Sequence, residues 1–275
     1  MLEGRYLIGL EPIERTLAFL ARQTDEKISK EALQERIDAA RRYRASRPTG
    51  PEQPPVQPLP PEFAEHAQRV RERDLYRKLF ADRDVEIGLV DIASLITVQP
   101  HVDFTFAQRR AAAAPTLGDA LAVCLPAEPE RADVWGGLTA APKTACTICA
   151  HDLNLNVTEA KMEASDGLKV TFTFGKTSVF VQALEHNGRY YLKDGTHRAV
   201  GFLAAGLTHL PCIINKGGRE RNLPDTLPVE TLLSDEPPRI ADFLAPELYL
   251  AYPWQPRVKF IRITVDDFVA PSPDD

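Results

Sequence analysis

Asn187-Gly188-Arg189-Tyr190-Tyr191-Leu192-Lys193-Asp194-Gly195-Thr196-His197-Arg198-Ala199-Val200-Gly201-Phe202-Leu203-Ala204-Ala205-Gly206 sets a turn, a strand and a helix in immediate succession. Asn187-Gly188 is a two-residue turn signal, because both positions tolerate positive φ. Arg189 to Lys193 is rich in aromatic and apolar residues and reads as a strand. Gly195 stops it, and a helix is predicted from about Thr196 to Ala205. Ala199, Phe202 and Leu203 form its apolar stripe, and Gly206 stands where a helix C-cap belongs. Leu210 to Asn215 (LPCIIN) then reads as a closing strand.

Before this run, Leu168 to Phe174 (LKVTFTF) and Ser178 to Leu184 (SVFVQAL) are predicted strands. Gly175-Lys176 separates them as in a hairpin, which makes a three-strand meander with Arg189–Lys193. Upstream, Val85, Ile87 and Leu89 alternate as a strand. Asp91 to Ile96 reads as a short helical turn leading to Gln99-Pro100-His101, and Pro126 to Thr144 reads as loop. Glu62 to Phe80 has a helical pattern with a charged, solvated face. Arg47 to Pro61 is so dense in proline that an extended arm or linker is expected. Ile13, Leu17 and Leu20, and then Leu33, Ile37 and Ala40, mark two amphipathic helices able to pair as a hairpin. Val258 to Val265 is a strand that would return to the main sheet. The expected organisation is N-terminal helices over 1–46, a proline-rich linker over 47–61 and a helix over 62–83. The main domain follows over 84–215, then a C-terminal extension with one strand over 216–275.

The chain has 275 residues, and its 33 basic and 39 acidic side chains leave a formal charge of −6, which argues against a broad nucleic-acid footprint. No stretch approaches the roughly 20 apolar residues of a membrane span. The first twenty residues lack a secretory pattern, so a cytoplasmic protein is expected. Four cysteines in a chain this long do not make a disulfide scaffold.

The chemistry concentrates where the strand ends and the helix begins. Free N–H groups at a helix start, together with its dipole, make a ready anion site. Thr196 adds a hydroxyl, and Arg198 adds a fork suited to phosphate oxygens. His197 can donate a hydrogen bond or move a proton near neutral pH. Lys193 and Asp194 precede the turn, and a carboxylate there could act as a base or hold a metal-bound water. A structural reading of the same residues stands beside this one: Thr196 as N-cap, with Asp194 and Arg198 as an i, i+4 pair. Cys146-Thr147-Ile148-Cys149-Ala150-His151 has the bite of a zinc knuckle but lacks a fourth ligand nearby, so buried structural cysteines are the expectation over zinc. Tyr249, Tyr252 and Trp254 either cover the core or stack on a base.

The run from Asn187 to Ile214 resembles the signature segment of the ParB/sulfiredoxin superfamily: a strand, Gly-x-His-Arg, an Ala-rich helix, a Gly turn and a short apolar strand. Val85 to Ile92 with Gln99-Pro100-His101 resembles that family's opening strand and its Gln-Pro-Arg-like element. The resemblance implies a compact mixed β-sheet with packed helices, an α+β fold. It implies nucleotide phosphates held by Gly195, Thr196, His197 and Arg198, with Lys193, Gln99 and His101 nearby and Asp194 and His197 as catalytic candidates. It also implies ATP or CTP with magnesium as the ligand, and NTP hydrolysis or phosphotransfer as the activity. Two departures narrow it. The catalytic cysteine of sulfiredoxins falls at Thr196, which excludes their sulfinic-acid chemistry. The DNA-binding helix-turn-helix that follows in partition proteins has no counterpart in the last 60 or so residues. The alternatives are a non-catalytic, nucleotide-gated protein whose N-terminal helices and proline arm recruit a partner or a second copy, and a DNA-binding or nuclease-like protein.

Overall fold

The computed structural model describes residues 2–24, 28–47, 56–128, 134–138, 145–150, 155–164, 168–176, 179–224, 226–255 and 257–264. The chain divides into two units, residues 1–129 with 179–255 and residues 130–178 with 256–275. In chain order the first unit opens with β1 (Glu3–Leu7), α1 (Ile13–Leu20), α2 (Lys30–Ala45) and β2 (Gln57–Pro58). It continues through α3 (Ala64–Glu72), α4 (Asp74–Phe80), β3 (Val85–Asp91), β4 (Ile96–Thr97), β5 (His101–Val102), α5 (Phe104–Ala112) and α6 (Leu117–Cys124). The second unit holds β6 (Val134–Leu138), β7 (Ala145–Ala150), β8 (Leu155–Ala164) and β9 (Leu168–Lys176). The chain re-enters the first unit with β10 (Gln182–His186), β11 (Arg189–Asp194), α7 (Thr196–Ala204), β12 (His209–Asn215), α8 (Val229–Leu233) and β13 (Tyr249–Pro253). It returns to the second unit for β14 (Lys259–Thr264).

The first unit is built on a six-stranded mixed sheet in the order β2-β3-β12-β10-β11-β4. Asn187 at φ 50° and Gly188 at φ 71° close the β10–β11 hairpin as their residue types demand. β12 lies parallel to β10 and antiparallel to β3, with Cys212 opposite Gly88. Residues 210 to 214 of β12 are all buried, which is why LPCII is an unbroken apolar run rather than an alternating one. Tyr191, Phe180, Phe202, Ile92 and Leu121 fill the core between this sheet and α5, α6 and α7. α7 ends in a Schellman motif: the Gly206 amide, at φ 90°, donates to Leu203 and the Leu207 amide to Phe202.

A second, three-stranded sheet, β13-β1-β5, pairs Glu3 with Pro253 and Tyr6 with His101. The apolar stripes of α1 and α2 lie against it, with Leu20, Leu33, Ile37 and Ala40 packed on Tyr6, Ile8, Leu250 and Tyr252. Asp242 is fully buried and receives Arg44 Nε at 3.3 Å and Arg47 Nη1 at 2.5 Å, while Arg44 Nη1 donates to the Ile8 carbonyl at 2.8 Å. The end of α2 is thereby tied to β1 and to the 3₁₀ turn Ile240–Leu244.

In the second unit β14, β7 and β6 form an antiparallel sheet, and β8 and β9 form a separate two-stranded ribbon. Lys259 Nζ donates to Asn156 Oδ1 at 2.7 Å, linking the two. The ribbon is amphipathic by register, with Ala160, Met162, Val170 and Phe172 on one face and Glu159, Lys161, Lys169 and Thr171 on the other.

Several expectations are corrected. Gly175 and Lys176 are not a hairpin turn. They lie inside β9, opposite Asn156 and Leu155, so 168–174 pairs with β8 and the expected meander does not form. β10 is satisfied by β11 and β12 instead. Lys259–Thr264 pairs with β7, not with the main sheet. Val134–Leu138 is a strand inside a stretch read as loop. The helix expected over 62–80 breaks at Arg73, whose ψ of 134° is extended. In the proline arm, residues 48–55 lie outside the described residues, but Gln57–Pro58 forms the edge strand β2 on Leu89 and Gly88. An edge position tolerates a residue that cannot donate to the ladder. Among the described residues no helix is long and apolar enough to cross a membrane.

Candidate functional site

The turn between β11 and α7 is fixed by sterics. Gly195 has φ 104°, and a Cβ there would stand 2.8 Å from Val181 Cγ2. Only glycine meets both conditions. Gly195 itself is therefore the N-cap, in place of the expected Thr196, and no side chain caps the helix. The first intrahelical bond runs from the Ala199 amide to the Gly195 carbonyl, leaving the amides of Thr196, His197 and Arg198 without partners inside the helix. Thr196 is buried, and its Oγ1 has no hydrogen-bond partner.

Arg198 faces inward. Its Nη1 donates to the carbonyls of Val179 at 2.7 Å and Val123 at 3.2 Å, and its Nη2 to Asp194 Oδ1 at 3.3 Å. The i, i+4 pair expected from spacing is present, and the fork also ties the turn to the end of α6 and to the chain's re-entry at 179. Asp194 also accepts from the Gly195 amide. Burial raises its pKa above the ordinary carboxylate value, with Arg198 and then Arg110 opposing that shift.

His197 is half-buried. Its Nε2 accepts the Asp103 amide at 3.0 Å, which leaves Nδ1 as the N–H donor of a neutral ring. Asp103 Oδ2 lies 3.6 Å from the same nitrogen. The Phe106 ring stands edge-on to His197 at 6.1 Å. Lys193 is exposed at the end of β11.

Gln99 and the turn leave the main sheet at the same end. β4 and β11 run parallel with Leu192 beside Thr97, so Gln99 and Asp194 each follow the ladder by two residues. Thr97 Oγ1 holds the Gln99 backbone, donating to its carbonyl at 3.0 Å and accepting its amide at 3.3 Å. His101, on β5 of the second sheet, turns its ring to Phe19 of α1, at 5.0 Å. Cys146 and Cys149 lie three residues apart on β7, so their side chains leave opposite faces of the strand and do not converge as in a knuckle. His151 lies outside the described residues. Cys124 and Cys212 are buried free thiols, and burial pushes Cys124 up to about 12. Among the described residues no group of three or more His, Cys, Asp or Glu is placed to hold a metal.

Asp103 and Phe106 escaped the sequence reading. Asp103 meets His197 across 94 positions, a contact no local pattern announces. Phe106 stands next to Ala107 in a stretch that carries no motif of its own. Comparison with family models, with curated proteins and with solved structures finds no match to this chain.

Proposed function

We propose that the β11–α7 turn binds the phosphates of a nucleoside triphosphate, as the ParB/sulfiredoxin resemblance implies, and that the protein is a nucleotide-binding NTPase or phosphotransferase. The observation that carries this is the start of α7. It has three amides free of the helix, no side-chain cap, and a buried Thr196 hydroxyl without a partner. The amides and Thr196 would hold phosphate oxygens, with Lys193 adding charge from the strand end and His197 donating through Nδ1. Arg198 is then a positioning residue that holds the turn from behind. Magnesium fits this residue set, because it takes few protein ligands and fills the rest from phosphate and water. Asp194 is the carboxylate that would reach it, and a cation there would offset the burial of its charge.

The test is calorimetric titration with ATP, CTP, GTP and UTP, with and without magnesium, on the wild type and on Thr196→Val. Saturable binding of a nucleotide, weakened about tenfold or more in the variant, is expected. That loss corresponds to one hydrogen bond to a charged group. No binding of any of the four by folded wild type overturns the proposal.

A further inference from the structure

Among the described residues of the first unit only Tyr43 and Phe106 are large hydrophobic side chains that stand exposed. Phe106 is 43% exposed, and it is the one that touches the turn. The His197 ring stands edge-on to it at 6.1 Å, and the Trp254 ring lies 6.4 Å from it, tilted by 40°. The phenyl ring is not on a loose segment. It precedes Ala107, which is fully buried where α5 meets α7. α5 begins next to Asp103, whose amide is bound to His197. An exposed aromatic face is thus held in place beside the first turn of α7 and bordered by a half-buried tryptophan.

Leaving a phenyl face in water forgoes the stabilisation that burial supplies, and a flat π-system is the ligand class that recovers it with directional preference. We infer that Phe106, bordered by Trp254, is the stacking platform for the base of the nucleotide whose phosphates the turn holds. This rests on the phosphate reading above and extends it to the ligand's other end. Stacking reads the π-face rather than the hydrogen-bonding edge, so several bases would be accepted, with purines favoured over pyrimidines by their larger surface.

The experiment compares nucleoside triphosphates with inorganic tripolyphosphate, which has the phosphates but no base. The full chain, Phe106→Ala, Phe106→Tyr and Trp254→Phe are titrated with ATP, CTP and tripolyphosphate, following heat and tryptophan fluorescence. Wild type is expected to bind ATP at least tenfold more tightly than tripolyphosphate, with CTP between them. Phe106→Ala should bring ATP down to the tripolyphosphate level and leave tripolyphosphate unchanged, while Phe106→Tyr restores the difference. Fluorescence should be quenched by ATP but not by tripolyphosphate, and the quench should vanish in Trp254→Phe. Equal binding of ATP and tripolyphosphate by wild type overturns the platform and leaves the phosphate turn standing. So does a Phe106→Ala variant that weakens both ligands alike. Failure of both ligands to bind folded wild type overturns the platform together with the phosphate turn.

Discussion

Gly201 of α7 sits so close to the carbonyl of Ala107 in α5 that a single added methyl would collide with backbone. Helix axes usually keep side chains between them; here one glycine lets the two backbones meet. Gly201→Ala is expected to destabilise the first unit by about 1–3 kcal/mol, the usual cost of overpacking, and urea denaturation measures it. Gly206→Ala is the control, because it meets nothing within 4 Å and pays only for its φ of 90°, about 1–2 kcal/mol. A Gly201→Ala protein as stable as wild type would show that the helices can separate without loss.

Arg198 joins three protein oxygens, from Asp194, Val123 and Val179. Arg198→Ala is expected to cost about 3 kcal/mol, because it strands a carboxylate and two carbonyls in a largely desolvated place. Arg198→Lys should recover only part of this, since an ammonium cannot reproduce the fork. Chemical denaturation of the ligand-free protein reads the effect. A variant of unchanged stability would mean that the fork is free for an incoming anion.

Asp194 gives stability a pH signature. Its folded pKa is raised, chiefly by burial and against the pull of Arg198. A carboxyl raised in this way stabilises the fold while protonated, and that contribution is lost as pH rises through the folded value. Relative to Asp194→Asn, which cannot ionise, wild type should therefore lose stability from about pH 4, the ordinary carboxyl range, up to the raised value, and be level above it. Thermal unfolding of both proteins across that range checks the slope. Wild-type stability that rises with pH relative to Asp194→Asn would reverse the assignment.

Much of the first unit was legible in the sequence because its signals are local. Asn187-Gly188 can only turn, Gly206 lies where a helix must end, and β12 is apolar enough to name itself. What failed depends on partners far along the chain. Residues 168–174 and the start of β10 look alike as strands, and only the presence of β8 on one side and β12 on the other decides which pairs with which. β1 was hidden for the same reason: five residues reveal nothing until β13 is beside them. At the site, the residue types of the turn were readable, but the direction of Arg198 was not. Its acceptors are main-chain carbonyls, which any residue supplies.

The pairing of β1 with β13 has a consequence for the protein as it is made. Glu3 finds its partner only when Pro253 has been added. At about 5–20 residues per second that interval is on the order of 10–50 s of translation. Throughout it the nascent chain carries the apolar Tyr6-Leu7-Ile8 without its final cover. β5 becomes available much earlier, at His101, and can hold one edge of β1 while the other waits. The three-stranded sheet is thus assembled from both ends of a long wait, and the short strand in its middle is the last main-chain edge of this unit to close.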